Sequence, residues 1–441
     1  MIKKIALIGL QAGDEGKGKI ETWFLEQLLQ IAEPSEVMSE RWHGADNAGH
    51  TVVVDGKKHH FHGLPSGLVY EGVFNLISGG CYVSPINLMN EITRLQGEGL
   101  TITSETLGIA ANAGLKLEYH IAADKKGREK KGTQASSHTT TGSGVGPAAV
   151  DRYARTGMNL MHFMDEEFFR QQVSEKFPEG NIPVTRKEGD QVIIERKSLD
   201  EFVEMYRTSR EFLRPFLVEE TSARQGRTYR LYEGAHGADL DIITGMYRGA
   251  TCSEPTRVPN DTDLIVGVFK LYESSVGWGD RAFPSYFGEE LASQVRDIWG
   301  ERGTTTGKPR DLGWFDIVKA KHNLAVTSAH EIVGTCGDRL TDLHGKVDKI
   351  KLVVGYEIDD QVYTEWQKEF ADVRYLKRVK CVFEEFDTWE RFTEDDGTLS
   401  ENAAKYVNRI EELLGRKFSL LGTGPGSKQM IVYRNPLKRA G

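Results

Sequence analysis

Asp14 sits where a carboxylate must either bind a cation or move a proton. It lies in Gly9-Leu-Gln-Ala-Gly-Asp-Glu-Gly-Lys-Gly-Lys19, and Gly13 to Lys19 satisfies the G-x-x-x-x-G-K part of a phosphate-binding loop. Such a loop aims backbone N–H groups and a helix N-terminus at phosphate oxygens. The next residue is Ile20, where a standard loop of this kind carries the Ser or Thr that holds magnesium. The metal then needs another oxygen, and Asp14 is the candidate. A carboxylate in a phosphate cradle would otherwise be repelled.

The loop needs a strand before it and a helix after it, and both are written in the chain. Ile5-Ala-Leu-Ile8 reads as a buried strand, and Ile20, Phe24, Leu28 and Ile31 recur at helical spacing. The 441 residues can bury a large core, with 39% hydrophobic and 27% charged residues, an ordinary globular composition. The net charge of −9 gives no global basic footprint for nucleic acid. No apolar run approaches the roughly 20 residues that span a bilayer, and the N-terminus enters a strand without a signal-peptide profile. The scattered Cys81, Cys252, Cys336 and Cys381 suit a reducing cytoplasm rather than a disulfide framework. The expectation is therefore a cytoplasmic enzyme, away from membranes and nucleic acid.

Further along, Val37 to Trp42 reads as a strand running into the polar turn Gly44 to Thr51. Thr51–Val54 and Lys57–His62 read as a hairpin about Asp55-Gly56. His59, His60 and His62 lack partners at ligand spacing and fit a half-exposed strand. Val73 to Ser78 reads as a strand, and Ser84-Pro85 starts a helix. Lys116 to Ala123 looks like a strand ending in a solvated basic loop, Asp124 to Lys131. Helices are expected at about 160–176 and 198–218, a hairpin near 182–196, strands at Tyr229–Tyr232 and Lys351–Tyr356, and a helix at 401–414. Polar turns at 139–147, 233–241, 303–316 and 422–425 carry the remaining chemistry. Strands alternating with helices give an α/β fold like that of P-loop NTPases. It is one domain over 1–441 on a mainly parallel sheet with flanking helices and a mostly helical insertion at about 100–220.

These turns together resemble the adenylosuccinate synthetase family over nearly the whole chain. The family's QWGDEGKGK appears as QAGDEGKGK, GGxNAGHT as GADNAGHT, and TTGRGIGPAYxDK-AR as TTGSGVGPAAVDRYAR. EGAQG-LDIDxGTYP-VTSS appears as EGAHGADLDIITGMYRGATCS, GTTTGRxRxxGWxD as GTTTGKPRDLGWFD, and the C-terminal STGP turn as GTGP. The resemblance implies a GTP-dependent ligase that joins L-aspartate to C6 of IMP through a 6-phosphoryl intermediate, working with Mg²⁺ as a homodimer. It implies Asp14 as the base for the N1 proton and, with the Gly49 carbonyl, as a magnesium ligand. His50 and Lys17 would attend the phosphates in transfer, and His236 would stand beside the purine. Gly13, Glu15, Gly16, Lys17, Gly18, Lys19, Gly49, His50, Thr51, Arg310, Asp338, Gly422, Thr423 and Gly424 would hold the nucleotide donor. Asn47, Thr141, Arg155 and Thr251 would join Asp14 and His236 around the acceptor nucleotide, with Arg155 crossing the dimer interface. Thr304, Thr305, Thr306, Lys308 and Arg310 would bind the amino acid.

Five departures accompany the matches. The family glutamine beside the purine is His236, the first arginine of GTTTGRxR is Lys308, and the arginine of TTGRG is Ser143. The guanine-reading TKLD becomes Thr335-Cys-Gly-Asp338, which keeps the aspartate and loses the lysine, and the tryptophan of QWGDEG is Ala12. Lysine replaces a flat two-pronged donor by a point charge, and without its lysine the guanine loop should discriminate less against ATP. Two other readings follow. One is a relative of the phage enzymes that act on dGMP, which usually carry Ser at the position of Asp14. The other is a catalytically silent nucleotide-binding protein, against which Asp14, Lys17 and His50 weigh.

Overall fold

Ile5, Ala6, Leu7 and Ile8 are each at most 1 % exposed because their strand is covered on both faces. Ala6 and Ile8 join a core with Tyr232, Phe269 and Phe315. Ile5 and Leu7 point the other way, against Ile20, Phe24 and Leu28, the buried stripe of helix α1 (Lys17–Leu28). Such two-sided burial is what makes a parallel strand read as a continuous apolar run. The computed structural model describes residues 2–54, 56–130, 142–189, 191–246, 250–276, 283–303 and 307–438.

The main sheet contains β1 (Lys4–Gly9), β2 (Val37–Arg41), β3 (Phe74–Ile77), β4 (Leu107–Ala110), β5 (Leu217–Val218), β6 (Tyr229–Gly237), β7 (Leu264–Lys270), β8 (Glu331–Thr335), β9 (Phe418–Gly422) and β10 (Met430–Val432). Across the sheet the order is β5-β4-β3-β2-β6-β1-β7-β8-β9-β10. All neighbours run parallel except the β9–β10 edge pair. After β1 the chain moves to one side as far as β5 and returns through β6, and from β7 it builds the other side. The crevice at the carboxyl ends of β6, β1 and β7 is therefore the switch point where open parallel sheets bind ligands. The α/β class and mainly parallel sheet match expectation. Residues 118–213 add six helices among the described residues and the hairpin Ile182–Glu188/Gln191–Lys197. Phe163, Phe169, Phe202, Tyr206 and Leu213 are covered in one core with Phe61, Ile77 and Leu107.

Several local expectations change. The segment read as a strand over Lys116–Ala123, and the basic loop after it, form one helix, Glu118–Lys130. Leu117, Tyr119, His120, Ile121 and Ala122 are all at most 8 % exposed, so burial on several sides erased the periodicity separating helix from strand. The expected helix at 160–176 breaks at Asp165, whose carboxylate caps the second half by accepting from the Phe168 amide at 3.0 Å. The helical stretch at 198–218 ends at Phe216, and Leu217-Val218 becomes an edge strand paired with β4. Ile31 lies beyond α1 and is 57 % exposed. Among the described residues no helix is long and apolar enough to cross a membrane.

Candidate active site

The loop between β1 and α1 is held open by one carboxylate. Glu15 is fully buried. Its carboxylate accepts from the amides of Gly13 at 2.8 Å and Gln11 at 3.2 Å and takes the Lys17 ammonium at 2.5 Å. A Cβ at Gly9 or Gly237 would stand 2.4 or 2.3 Å from it, so both glycines are required by close packing. Glu15 therefore braces the loop from inside and holds Lys17 in place. Gly13, Asp14 and Gly16 have φ of +105°, +56° and +84°; aspartate tolerates this left-handed region better than most residues. Gly16 caps α1 without a side-chain hydrogen bond, which leaves the first amides of Lys17, Gly18 and Lys19 free of that competitor for an anion.

Asp14 ion-pairs with the Arg310 guanidinium, whose other arm meets Glu301 at 2.7 Å. Glu301 is 1 % exposed and also receives Lys270 at 2.9 Å, Arg339 at 2.8 Å and the Tyr272 hydroxyl. Burial alone would raise its pKa, but Lys270, Arg310 and Arg339 hold it far below the usual carboxylate range. The arginine expected to grip the amino acid thus rests on the expected base.

His50 opens the first strand of the hairpin His50–Val54/Lys57–Phe61 and stacks on Phe61, ring centroids 5.5 Å apart. Arg41, at the end of β2, reaches its Nδ1 at 3.2 Å, so the single proton of the neutral ring belongs on Nε2. Nε2 lies 3.1 Å from Glu233 but out of hydrogen-bond alignment. Burial, opposed by Glu233 and reinforced by Arg41, lowers the His50 pKa to about 4. Glu233 is fixed by the amide and hydroxyl of Ser66, both at 2.9 Å. Beside it Glu21 is fully buried, and desolvation and the Glu233 charge push its pKa well above normal. Two carboxyls this close share one proton.

His236 occupies a bulge at the end of β6: Leu7 pairs with Glu233 while Gly9 pairs with Gly237. Its φ is +61°. Burial, with Lys17 and Arg41 adding and Asp14 opposing, lowers its pKa to about 4. Of the two protonation states open to this ring from sequence, the neutral one is favoured near pH 7.

On the other side of the crevice, Lys19 donates to the carbonyls of Gly424 at 2.6 Å and Gln429 at 2.8 Å. It ties the turn Gly422-Thr423-Gly424 to the loop, and burial lowers its pKa to about 8. Asp338 is nearby, its carboxyl raised by burial against the pull of Lys19 and Arg339. Thr335 locks this side by donating to the Glu15 carbonyl at 2.6 Å. Asn47 and Gly49 lie half-buried between β2 and the hairpin, and Thr51 belongs to its first strand. Thr251 donates its amide to the Leu240 carbonyl at 2.7 Å. Lys308 is exposed and closes a turn through its carbonyl to the Gly303 amide at 2.7 Å. Arg155 is exposed, with φ of +64°, remote from the loop in sequence and on the surface. Thr141, Thr304, Thr305 and Thr306 lie outside the described residues.

Arg41, Glu233, Glu21, Glu301, Lys270 and Arg339 were not singled out from sequence. A usable signal existed for two of them: Arg41 and Lys270 are charges ending the buried strands VMSER and LIVGVFK, at the sheet edge where ligands bind.

Comparison with known proteins identifies the family. A family model described as adenylosuccinate synthetase matches residues 6–431. The chain is 35% identical over 451 residues to the adenylosuccinate synthetase of Streptococcus sanguinis strain SK36, covering 98% of both chains. Among solved structures it resembles fully ligated adenylosuccinate synthetase from Plasmodium falciparum, with TM-score 0.81, 26% identity, and 98% and 100% of the two chains covered. The cyanophage S-2L succinoaminodeoxyadenylate synthetase, bound to dGMP and dATP, shares the fold at TM-score 0.57 and 16% identity, over 99% and 97% of the chains. With a family model spanning nearly all of it and a relative above 30% identity end to end, the chain belongs to the adenylosuccinate synthetase family.

Proposed function

We propose that this ligase, which as a family member forms a C–N bond, joins L-aspartate to C6 of IMP at the expense of GTP. The observation that carries the reading is Asp14. It is a partly exposed carboxylate held at φ +56° inside the phosphate loop and balanced by Arg310. In the reaction Asp14 takes the N1 proton of the purine as O6 attacks the γ-phosphate and GDP leaves. The amine of aspartate then adds at C6 and expels phosphate. Proton removal and charge development at O6 are concerted, so an ordinary carboxylate suffices as base. Lys17, set by Glu15, and the α1 amides bind the phosphates. His50 donates from Nε2 without bringing a charge, and His236 faces the purine neutral. Arg310 exchanges Asp14 for a carboxylate of the amino acid, with Lys308 and Thr304–Thr306 around it. Asn47, Thr141 and Thr251 hold the acceptor, and Lys19, Asp338 and the Gly422–Gly424 turn hold the donor base.

A magnesium ion fits this donor set. The described residues contain no cluster of three or more His, Cys, Asp or Glu suited to a metal, whereas Mg²⁺ needs only one or two protein oxygens beside phosphates and water. Asp14 and the Gly49 carbonyl would supply them, and the bound ion would neutralise charge on the phosphates.

Turnover of IMP, dIMP, GMP and dGMP with L-aspartate, Mg²⁺ and either GTP or ATP tests the reading. IMP with GTP should give the 6-succinylamino product. Preference for dGMP would move the assignment to the phage-type reaction, for which His236 is the observation in favour. Absence of product from every combination would leave a binding protein.

The partner proposed for the protein itself is a second copy. Arg155 is exposed and follows the helix Val145–Tyr153, which itself exposes Val150 (67 %) and Tyr153 (75 %). Mixing inactive Arg155→Ala chains with inactive Asp14→Asn chains should restore part of the activity through hybrid sites. Proven subunit exchange with no restoration refutes a shared site.

A further inference from the structure

We propose that Gln11 is a positioning residue for this reaction, its side-chain amide tying the phosphate loop to the end of β7 and so fixing where Asp14 stands; this rests on the base role proposed above for Asp14. Gln11 is 2 % exposed and lies directly before the turn of Ala12, Gly13 and Asp14. The Leu10 amide donates to the Val268 carbonyl at 2.9 Å, which carries the β1–β7 ladder one residue past Gly9. The Leu10 carbonyl is taken by the Asn323 side-chain amide at 2.8 Å, and the next bond to β7 comes from a side chain. Gln11 Oε1 accepts from the Lys270 amide at 2.8 Å, and Nε2 donates to the Tyr272 carbonyl at 2.9 Å and to Glu273 at 3.0 Å. The backbone of Gln11 is held as well, its amide by Glu15 at 3.2 Å and its carbonyl by the Asp239 amide at 3.1 Å.

A chain that turns out of a sheet to cradle a phosphate leaves the neighbouring strand with buried N–H and C=O groups to satisfy. A carboxamide meets both needs at once, because it offers an acceptor and a donor without a charge. The peptides of Ala12, Gly13 and Asp14 are thereby free to turn, with φ of +105° at Gly13 and +56° at Asp14. Asp14 then stands between two fixed points. Before it is Gln11 on β7, and after it is Glu15, whose carbonyl accepts from the Thr335 hydroxyl of β8 at 2.6 Å. The Lys270 that gives its amide to Gln11 also sends its ammonium to Glu301 at 2.9 Å, and Glu301 holds Arg310 against Asp14. Gln11 therefore sets the loop that carries the base in register with the arginine that faces it. An apolar side chain of the same length would fill the space and leave the loop untied. Misplacing a reacting group by about 1 Å can cost about 10²-fold in rate, so a contact behind the chemistry is enough to control it.

The test uses the full-length protein with IMP, GTP, Mg²⁺ and L-aspartate in steady-state and single-turnover kinetics, with a thermal melt of each variant. Gln11→Met keeps the length of the side chain without its donor or acceptor. It should lower kcat about 10- to 100-fold, with KM for GTP within about 2-fold because Glu15 still holds Lys17. In an Asp14→Asn background the same change should cost less than about 3-fold, since a residue acting through Asp14 has nothing left to position. Gln11→Glu supplies a rescue. Ionised, its carboxylate cannot donate to the Tyr272 carbonyl and faces the Glu273 charge; protonated, it donates again. Burial and the charges of Glu15, Glu273 and Asp239 raise the pKa of such a carboxyl. Lys270 opposes them, as does Lys319, which pairs with Glu273 at 2.7 Å and Asp239 at 2.8 Å. Its rate relative to wild type should therefore climb as pH is lowered from about 8 to about 6. An undiminished loss in the Asp14→Asn background, a folded Gln11→Met at the wild-type rate, or a flat rate ratio for Gln11→Glu overturns the assignment and leaves the reaction standing. Failure of both Gln11 variants to fold makes Gln11 a support of the fold and overturns it too. Wild-type activity in Asp14→Asn alone, or no turnover by wild type, removes the role of Asp14 itself.

Discussion

Asp14→Asn should lower kcat by about 10²–10⁴-fold, the range expected for loss of a general base, while the protein folds as before. Asparagine accepts left-handed backbone as readily as aspartate, so φ of +56° adds no strain. The amide keeps the size of the side chain but cannot take the N1 proton. Arg310 loses its ion pair with Asp14 yet stays satisfied by Glu301 at 2.7 Å, so no buried cation is stranded. Single-turnover kinetics with a parallel thermal melt separate the two effects. A folded variant that retains more than about a tenth of the wild-type rate takes Asp14 out of the base role. Asp14→Ala should behave worse in the melt, because alanine pays the left-handed backbone cost that asparagine avoids.

The contrast between Asp14 and its surroundings shows what a sequence can disclose. The loop was legible because its constraints are local: glycines for positive φ, an apolar strand before and a helical stripe after. The exact bounds of the helix at Glu401–Leu414 and the hairpin about Gly56 were readable for the same reason. The long insertion was less so. Leu117 to Ala122 is buried from several sides, and a pattern that is apolar on every face carries no period. Charged partners were least legible of all. Glu301 meets Lys270 across 31 positions and Arg339 across 38, and Arg310 meets Asp14 across 296, distances at which spacing says nothing. What sequence did signal was the departure at His236, and the bulge in β6 explains why that position matters: it aims a side chain back over the loop.

Glu301→Gln should be the most damaging change outside the reacting groups. The carboxylate lies at the centre of Lys270, Arg310, Arg339 and Tyr272. Glutamine has its shape but returns one neutral carbonyl to three cations. Arg339 is a third exposed, so water relieves it, and Arg310 can lean on Asp14. Lys270 is 2 % exposed and keeps the Ser274 hydroxyl and the face of the Tyr272 ring, so among the described residues it is left as a buried charge without its Glu301 counter-ion. Breaking a buried pair in this way costs about 3–5 kcal/mol. With an unfolding entropy of about 2.1 cal/mol/K per residue over 441 residues, that is a fall in Tm of roughly 3–5 °C. Activity should drop as well, through a raised KM for aspartate, because Arg310 loses the partner that orients it. The pH dependence fixes the cause. The folded pKa of Glu301 is depressed, so its contribution is complete above the unfolded value and disappears as pH falls toward the folded one. The stability gap between wild type and Glu301→Gln should therefore be constant from pH 7 to 5. Below about 4.3 it should narrow by about 1.4 kcal/mol per pH unit. A gap that persists undiminished at pH 3 would mean that the glutamine is tolerated or rejected for its packing, and that the charge of Glu301 is not what holds these cations at the base of the site.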